Sequence, residues 1–186
     1  MPKLSSYDVI TALTGYYLPA FTTAANKRWL ATQSFYPYTL AQSAVAVTGT
    51  STTAEEAYAT VTVPAGVPGP NGCLIVDTLW SMTNGADDKI TRTRWSTITG
   101  TAFSAVINTT IATLRDVRVI QNRNSASSQV AGPAALVGGV GSSADAVVTG
   151  TIATTAATTL VISGQKETAG NTLTLERYSV IVCYGA

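Results

Sequence analysis

The sequence contains no histidine. Imidazole is the usual general base near neutral pH and the commonest metal ligand, so its absence removes most hydrolase, transferase and metalloenzyme mechanisms. Charge is scarce as well. Only 11% of residues are charged, against about 25% in ordinary soluble domains. The 11 basic and 10 acidic side chains leave a net +1, so no long-range field exists to draw in nucleic acid or an anionic membrane, and neither is expected as a partner. No stretch approaches the 18 or more apolar residues of a membrane helix. The opening MPKLSSYDVI lacks the charged start, apolar middle and small-residue cleavage site of an export signal, so folding in the cytoplasm is expected.

Cysteine is limited to Cys73 and Cys183, with no CxxC or other close spacing. Two thiols so placed do not make a metal site, and no metal or other cofactor is expected. Two readings stand for them: buried free thiols acting as small hydrophobes, or a disulfide between neighbouring strands.

What the chain does have is 46% hydrophobic residues, enough for a substantial core, in short runs. Thr and Ala together supply 58 of 186 residues, and β-branched Thr suits a half-buried sheet face better than a helix. A virion or cell-surface β protein has this composition, and so does an ordinary sandwich with a solvated Thr-rich face.

The distribution of aromatics divides the chain. Eight of its fourteen, Tyr7, Tyr16, Tyr17, Phe21, Trp29, Phe35, Tyr36 and Tyr38, fall before residue 44, among Pro19, Pro37 and the basic pair Lys27 and Arg28. No period of 3.6 or 2 is sustained there, so residues 1–44 are expected to form an irregular arm, with at most a short helix from Ser6 to Leu13 capped by Ser5 or Ser6. Rings of this size bury about 150–250 Å² each when packed. The arm is therefore expected to pack either on its own sandwich or on a partner. In the second reading Tyr16, Tyr17, Phe21, Arg28, Trp29, Phe35, Tyr36 and Tyr38 are the partner-binding residues, aromatic and Arg side chains being typical interface anchors.

Residues 45–186 read as strands separated by turn signals every 8 to 15 residues or so. Ala57, Ala59, Val61 and Val63 alternate with polar neighbours, and the dense Pro and Gly of Pro64–Gly72 precede the apolar run Cys73–Trp80. The Asn-Gly of TNGADD (Thr83–Asp88) predicts a hairpin joining that run to Lys89–Ile98. Further strands are expected at Ala102–Asn108, Ala112–Gln121, Ala146–Ala153, Thr158–Ser163 and Thr172–Tyr184, the last with a bulge near Glu176 and Arg177, where its apolar parity switches. The stretch Asn122–Asp145 is a long Gly- and Ser-rich loop: mobile, functional, or ordered by a neighbour. The expected fold is thus all-β, an eight-stranded jelly-roll β-sandwich preceded by an extended N-terminal arm.

No catalytic constellation is found. The serines have no histidine and the lysines sit in no Ser-x-x-Lys arrangement. Asp77, Asp116, Glu167 and Glu176 have no spacing that supports a glycosidase pair. Asn84, Asp87 and Asp88 offer oxygen ligands to Ca²⁺, but a polar turn uses the same residues. Arg92 and Arg94 share a strand face, and Arg115 and Arg118 come from a later strand. They are expected to meet Asp77 or Asp116 in surface ion pairs or to grip an acidic partner. The chain is not expected to be an enzyme.

The segments GPNGCLIVDTLWSMTNGADDKITRTRW (Gly69–Trp95) and GNTLTLERYSVIV (Gly170–Val182) resemble small jelly-roll virion proteins of tailed bacteriophages, above all the capsid decoration, or cement, proteins. The resemblance spans about residues 55–184, rests on strand and turn patterns, and carries no site residues. It implies a homo-oligomer, a trimer by preference or a dimer, that sits on the capsid exterior after synthesis in the host cytoplasm and clamps neighbouring major capsid proteins. A head or tail fibre protein recognising a host surface glycan, with the Asn122–Asp145 loop and Trp95 as a sugar platform, is the alternative. A secreted adhesin would need an export signal.

Overall fold

A computed structural model describes residues 37–185. The possible helix at Ser6–Leu13, and Tyr16, Tyr17, Phe21, Arg28, Trp29, Phe35 and Tyr36, lie outside the described residues. Among those described there is no α-helix, one 3-10 turn at Val137–Gly139, and eleven strands where eight were expected. The strands are β1 Tyr38–Ser43, β2 Val47–Thr48, β3 Glu56–Val63, β4 Cys73–Met82, β5 Lys89–Trp95 and β6 Thr101–Asn108. They continue as β7 Thr113–Asn122, β8 Gln129–Ala131, β9 Val148–Gly150, β10 Thr158–Lys166 and β11 Leu173–Cys183. The three unforeseen strands, β1, β2 and β8, are the ones without an alternating apolar stripe. Residues 38–43, counted with the arm from sequence, form β1 on the edge of β11.

All pairings are antiparallel and make two sheets. The larger runs β1–β11–β4–β7–β8–β9, with β2 also on β11, and the smaller runs β3–β10–β5–β6. Inward residues, alternating except where bulges shift the parity, interlock in one core. Leu74, Val76, Trp80, Met82, Ile120, Leu173, Leu175, Val180 and Val182 come from the larger sheet, and Tyr58, Val61, Val63, Trp95, Phe103, Val106, Leu160 and Ile162 from the smaller. Tyr58 meets Trp80 edge-on across the core, ring centroids 5.1 Å apart. Offset and edge-to-face ring pairs of this kind add to burial alone.

The hairpin expected between β4 and β5 does not form. β4 is paired on both sides by β11 and β7, whereas β5 lies in the other sheet between β10 and β6. Both strands bury one face, and a central position in separate sheets satisfies both edges of each. The Thr83–Asp88 segment therefore crosses between sheets beside the β10–β11 connection. The Thr83 amide donates to Thr172 O at 3.1 Å, the Glu167 amide to Asp88 O at 2.9 Å, and Asn171 Nδ2 to Asp87 Oδ2 at 3.0 Å.

The parity expected for β3 also changes. Tyr58 is buried with Val61 and Val63, because the register against β10 slips between Ile162 and Ser163 and turns Ala57 outward. The bulge expected in β11 is present, between Leu175 and Arg177 opposite Trp80 and Leu79.

Candidate functional site: two sheet faces and a buried arginine

The outer faces of the two sheets differ. On the smaller sheet, Arg92 and Arg94 point away from the core on alternate positions of β5. Glu55, from the segment before β3, lies over them. Its carboxylate accepts from Arg94 Nε at 2.7 Å and Arg94 Nη2 at 2.9 Å, a bidentate fork, and from Ser163 Oγ at 2.6 Å. Arg92 Nη1 lies 3.2 Å from the same carboxylate without hydrogen-bond geometry, while its Nη2 donates to Gln165 Oε1 at 2.9 Å. Gln165 Nε2 in turn donates to Thr53 O at 3.2 Å. The Thr50–Glu55 segment thereby covers β10, and Ser163, an outward residue, is fully buried. The expected partners of these arginines are corrected: they meet Glu55, not Asp77 or Asp116.

The outer face of the larger sheet has no such cover from the described residues. Its registers set Ile181, Ile75 and Val119 in one row across β11, β4 and β7, and Ser179, Asp77 and Val117 in the next. Val119 is 45% exposed. Asp77 anchors a charged cluster beside the apolar row: Arg115 Nε and Nη2 donate to its two oxygens at 3.0 and 2.8 Å, and Arg177 Nη1 to Oδ2 at 3.3 Å.

Arg115 and Arg118 do not share a face, being three residues apart on one strand. Arg118 points into the sandwich and is 1% exposed. Nη1 donates to Pro133 O at 2.8 Å and Nη2 to Leu136 O at 2.5 Å and Ser104 Oγ at 3.2 Å, with Asp116 Oδ1 3.5 Å away. Its Nε has no hydrogen-bond partner. Asp116, also buried, accepts from Ser104 Oγ at 2.5 Å and from the Gly138 amide at 2.7 Å. Gly139 has φ +66°, and a Cβ there would stand 2.5 Å from Arg118 Nη1, so only glycine closes the loop over the guanidinium. The Asn122–Asp145 stretch is thus held by this chain's own core. Gln129 reinforces it, donating to Asn122 Oδ1 and Ile152 O at 2.9 Å and accepting from the Ile152 amide at 2.8 Å.

The other candidates resolve as structure. Asn84, Asp87 and Asp88 flank Lys89, whose buried ammonium donates to Gly85 O at 3.0 Å, Asp87 O at 2.6 Å and Thr109 O at 2.8 Å. A lysine thus holds the carbonyls around this turn, and no cluster of three metal-ligating side chains occurs among the described residues. Asp77 faces outward, Asp116 inward, Glu176 takes a hydrogen bond from Ser81, and Glu167 takes the Asp88 amide at 2.9 Å. Trp95 is fully buried, its Nε1 donating to Thr158 Oγ1 at 2.8 Å. That corrects the reading of Trp95 as an exposed sugar platform. Of the arm's proposed anchors only Tyr38 is described. It lies opposite Val182 at the start of β1, 38% exposed, and partial burial raises its phenol. No helix among the described residues is long and apolar enough to cross a membrane.

Two carboxylates make the fold acid-sensitive. Hydrogen bonding by Arg115, then the charges of Arg177 and Arg115, hold Asp77 below its ordinary 3.8 despite burial. Burial would raise Glu55, but hydrogen bonds from Arg94 and Ser163 and the charges of Arg92 and Arg94 outweigh it and hold the group below 4.5. A carboxyl depressed in the folded state stabilises it fully above the unfolded value, and that contribution is lost as pH falls through the folded value. Urea midpoints should therefore fall as pH drops from about 5 towards 2. Asp77→Asn should flatten the lower part of that curve while leaving the Glu55 part; an unchanged slope would remove Asp77 from the account.

No family model matches the chain, and no curated protein matches it. Among solved structures, the chain is similar to the CBM2 module of the evolved Dit of Lactobacillus casei BL23 phage J-1, with 10% sequence identity and a TM-score of 0.33 over 68% of this chain and 70% of that one.

Proposed function

We propose that this chain is a non-catalytic jelly-roll subunit of a virion, which binds the outside of a tailed-phage capsid and clamps neighbouring major capsid proteins. Setting aside β2, β8 and β9, the other eight strands nest in pairs, β1 with β11, β3 with β10, β4 with β7 and β5 with β6, and the β11–β4 and β10–β5 contacts join these pairs into the two sheets. One long antiparallel hairpin rolled into two sheets gives this nesting, which supports the jelly-roll reading. The observation that carries the binding role is the asymmetry of the two outer faces. On the smaller sheet the chain's own Thr50–Glu55 segment covers β10 and the β5 arginines and, among the described large hydrophobics, leaves only Ile107 of the edge strand β6 strongly exposed, while the larger presents Ile181, Ile75 and Val119 in one row beside the Asp77, Arg115 and Arg177 cluster. An apolar centre with a polar rim is how interfaces are built. The aromatic residues before β1 supply a second set of anchors, and two modest contacts on one subunit reinforce each other as intramolecular steps.

Removal of residues 1–36 leaves β1 in place and is expected to give a folded sandwich that no longer sediments with expanded empty capsids. Val119→Asp, at an outward position, is expected to weaken sedimentation of the full chain by about tenfold or more, since a charge at the centre of an interface must be desolvated. Full capsid binding by both variants would defeat the proposal. Glycan binding by the full chain without capsid binding would favour the fibre reading instead.

A further inference from the structure

Cys73 is the first residue of β4 and Cys183 the last of β11, and the two are directly opposite in the antiparallel ladder. Opposed residues point to the same face. Their Cα atoms lie about 4.5 or 5.5 Å apart according to pair type, and both values fall within the span of a disulfide. Both residues are free and half-buried, within reach of a small reagent. The glycine-rich turn before Cys73 is tied to the chain beyond Cys183, the Asn71 amide donating to Gly185 O at 3.2 Å and the Gly185 amide to Pro68 O at 3.0 Å. This end of the sheet is therefore already registered.

We infer that Cys73 and Cys183 are a cross-strand dithiol that low-molecular-weight disulfides of the glutathione class convert to an intramolecular disulfide, locking the last strand to the centre of the larger sheet. One thiolate attacks a sulfur of the reagent and expels one thiolate, leaving a mixed disulfide on the protein. The second cysteine attacks the protein sulfur of that bond and expels the other. The protein loses two electrons and two protons, and the reagent leaves as two thiols. Burial, and then the neighbouring Cys183, raise the Cys73 thiol, so the exchange is slow at neutral pH and accelerates as pH rises. About 110 residues lie between the two positions, a long loop whose closure constrains the unfolded chain. The inference stands independently of the capsid reading.

The test uses the reduced full-length chain with oxidised glutathione at pH 8. The intact mass should fall by two hydrogens, with no glutathione adduct remaining. A non-reduced digest should join the peptides bearing Cys73 and Cys183. The thermal midpoint should rise by roughly 5–15 °C, and a reductant should reverse it. Cys73→Ser and Cys183→Ser should each end as a single mixed disulfide with no such rise, and two variants guard against one failing to fold. Stable double glutathionylation, a disulfide-linked dimer, or two thiols that react only in denaturant would each overturn the inference, as would a mapped bond with no rise in midpoint.

Discussion

Arg118→Ala is expected to destabilise the fold by about 3–5 kcal/mol and to lower the thermal midpoint by roughly 6–20 °C. The guanidinium is buried and is the only cation within hydrogen-bond reach of the buried Asp116 carboxylate among the described residues. It also takes up the carbonyls of Pro133 and Leu136. Truncation strands an anion in the interior and leaves two carbonyls short of a donor, each unmade bond costing about 1–3 kcal/mol. Asp116→Asn in the same chain removes the stranded charge and should recover part of the loss. The remainder belongs to the carbonyls, which no change at residue 116 can satisfy. Calorimetry of the single and double variants separates the two contributions. A double variant no more stable than Arg118→Ala would show that the charge is not the source. Proteolysis between Gly132 and Val147 should also accelerate in Arg118→Ala, because the arginine is what ties that segment down.

Trp95→Ala should cost a similar amount, about 3–5 kcal/mol for a fully buried Trp. The indole is 0% exposed, packs edge-on against Phe103 at 6.2 Å and donates to Thr158. Trp95→Phe keeps much of the packing and loses the hydrogen bond, so its cost should be nearer 1–3 kcal/mol. The pair of variants also tests the position's role. A residue of the core changes stability and leaves the binding of the folded protein alone. If Trp95→Phe abolished binding while leaving the thermal midpoint unchanged, Trp95 would be a contact residue after all.

How far the sequence revealed this architecture depended on which interaction dominated locally. Cys73–Met82, whose even residues are all buried, was legible as a short apolar run bounded by turn signals. The bulge at Glu176 was legible as a switch in the apolar parity of the last strand. The Asn-Gly turn misled, because turn chemistry reports a local reversal but not which sheet the next strand joins. That choice was made by the β11 and β7 edges, distant in sequence. β1 and β2 on the edge of β11, and the three-residue β8 between β7 and β9, escaped notice since such strands are fixed by their neighbours' open hydrogen bonds, not by their own side chains. Among the site residues, Arg115 and Arg118 looked equivalent by type. Only their odd separation on a strand, which sends them to opposite faces, distinguished a surface ion pair from a buried one. Glu55 gave no signal, because its partners Arg94 and Ser163 lie 39 and 108 residues away.

The placement of β4 between β7 and β11 has a kinetic consequence. β4 leaves the ribosome long before β11 exists, since about 90 residues separate Met82 from Leu173. At about 5–20 residues per second the open flank of β4 waits roughly 5–20 s for its partner. During that interval Leu74, Val76 and Trp80 lie along a strand with one unpaired edge, a template for another chain. Pairings so distant in sequence also close slowly, on the millisecond to second scale typical of such topologies. Arrival of the last strand therefore sets the moment at which a nascent chain stops being vulnerable to its neighbours on the same message.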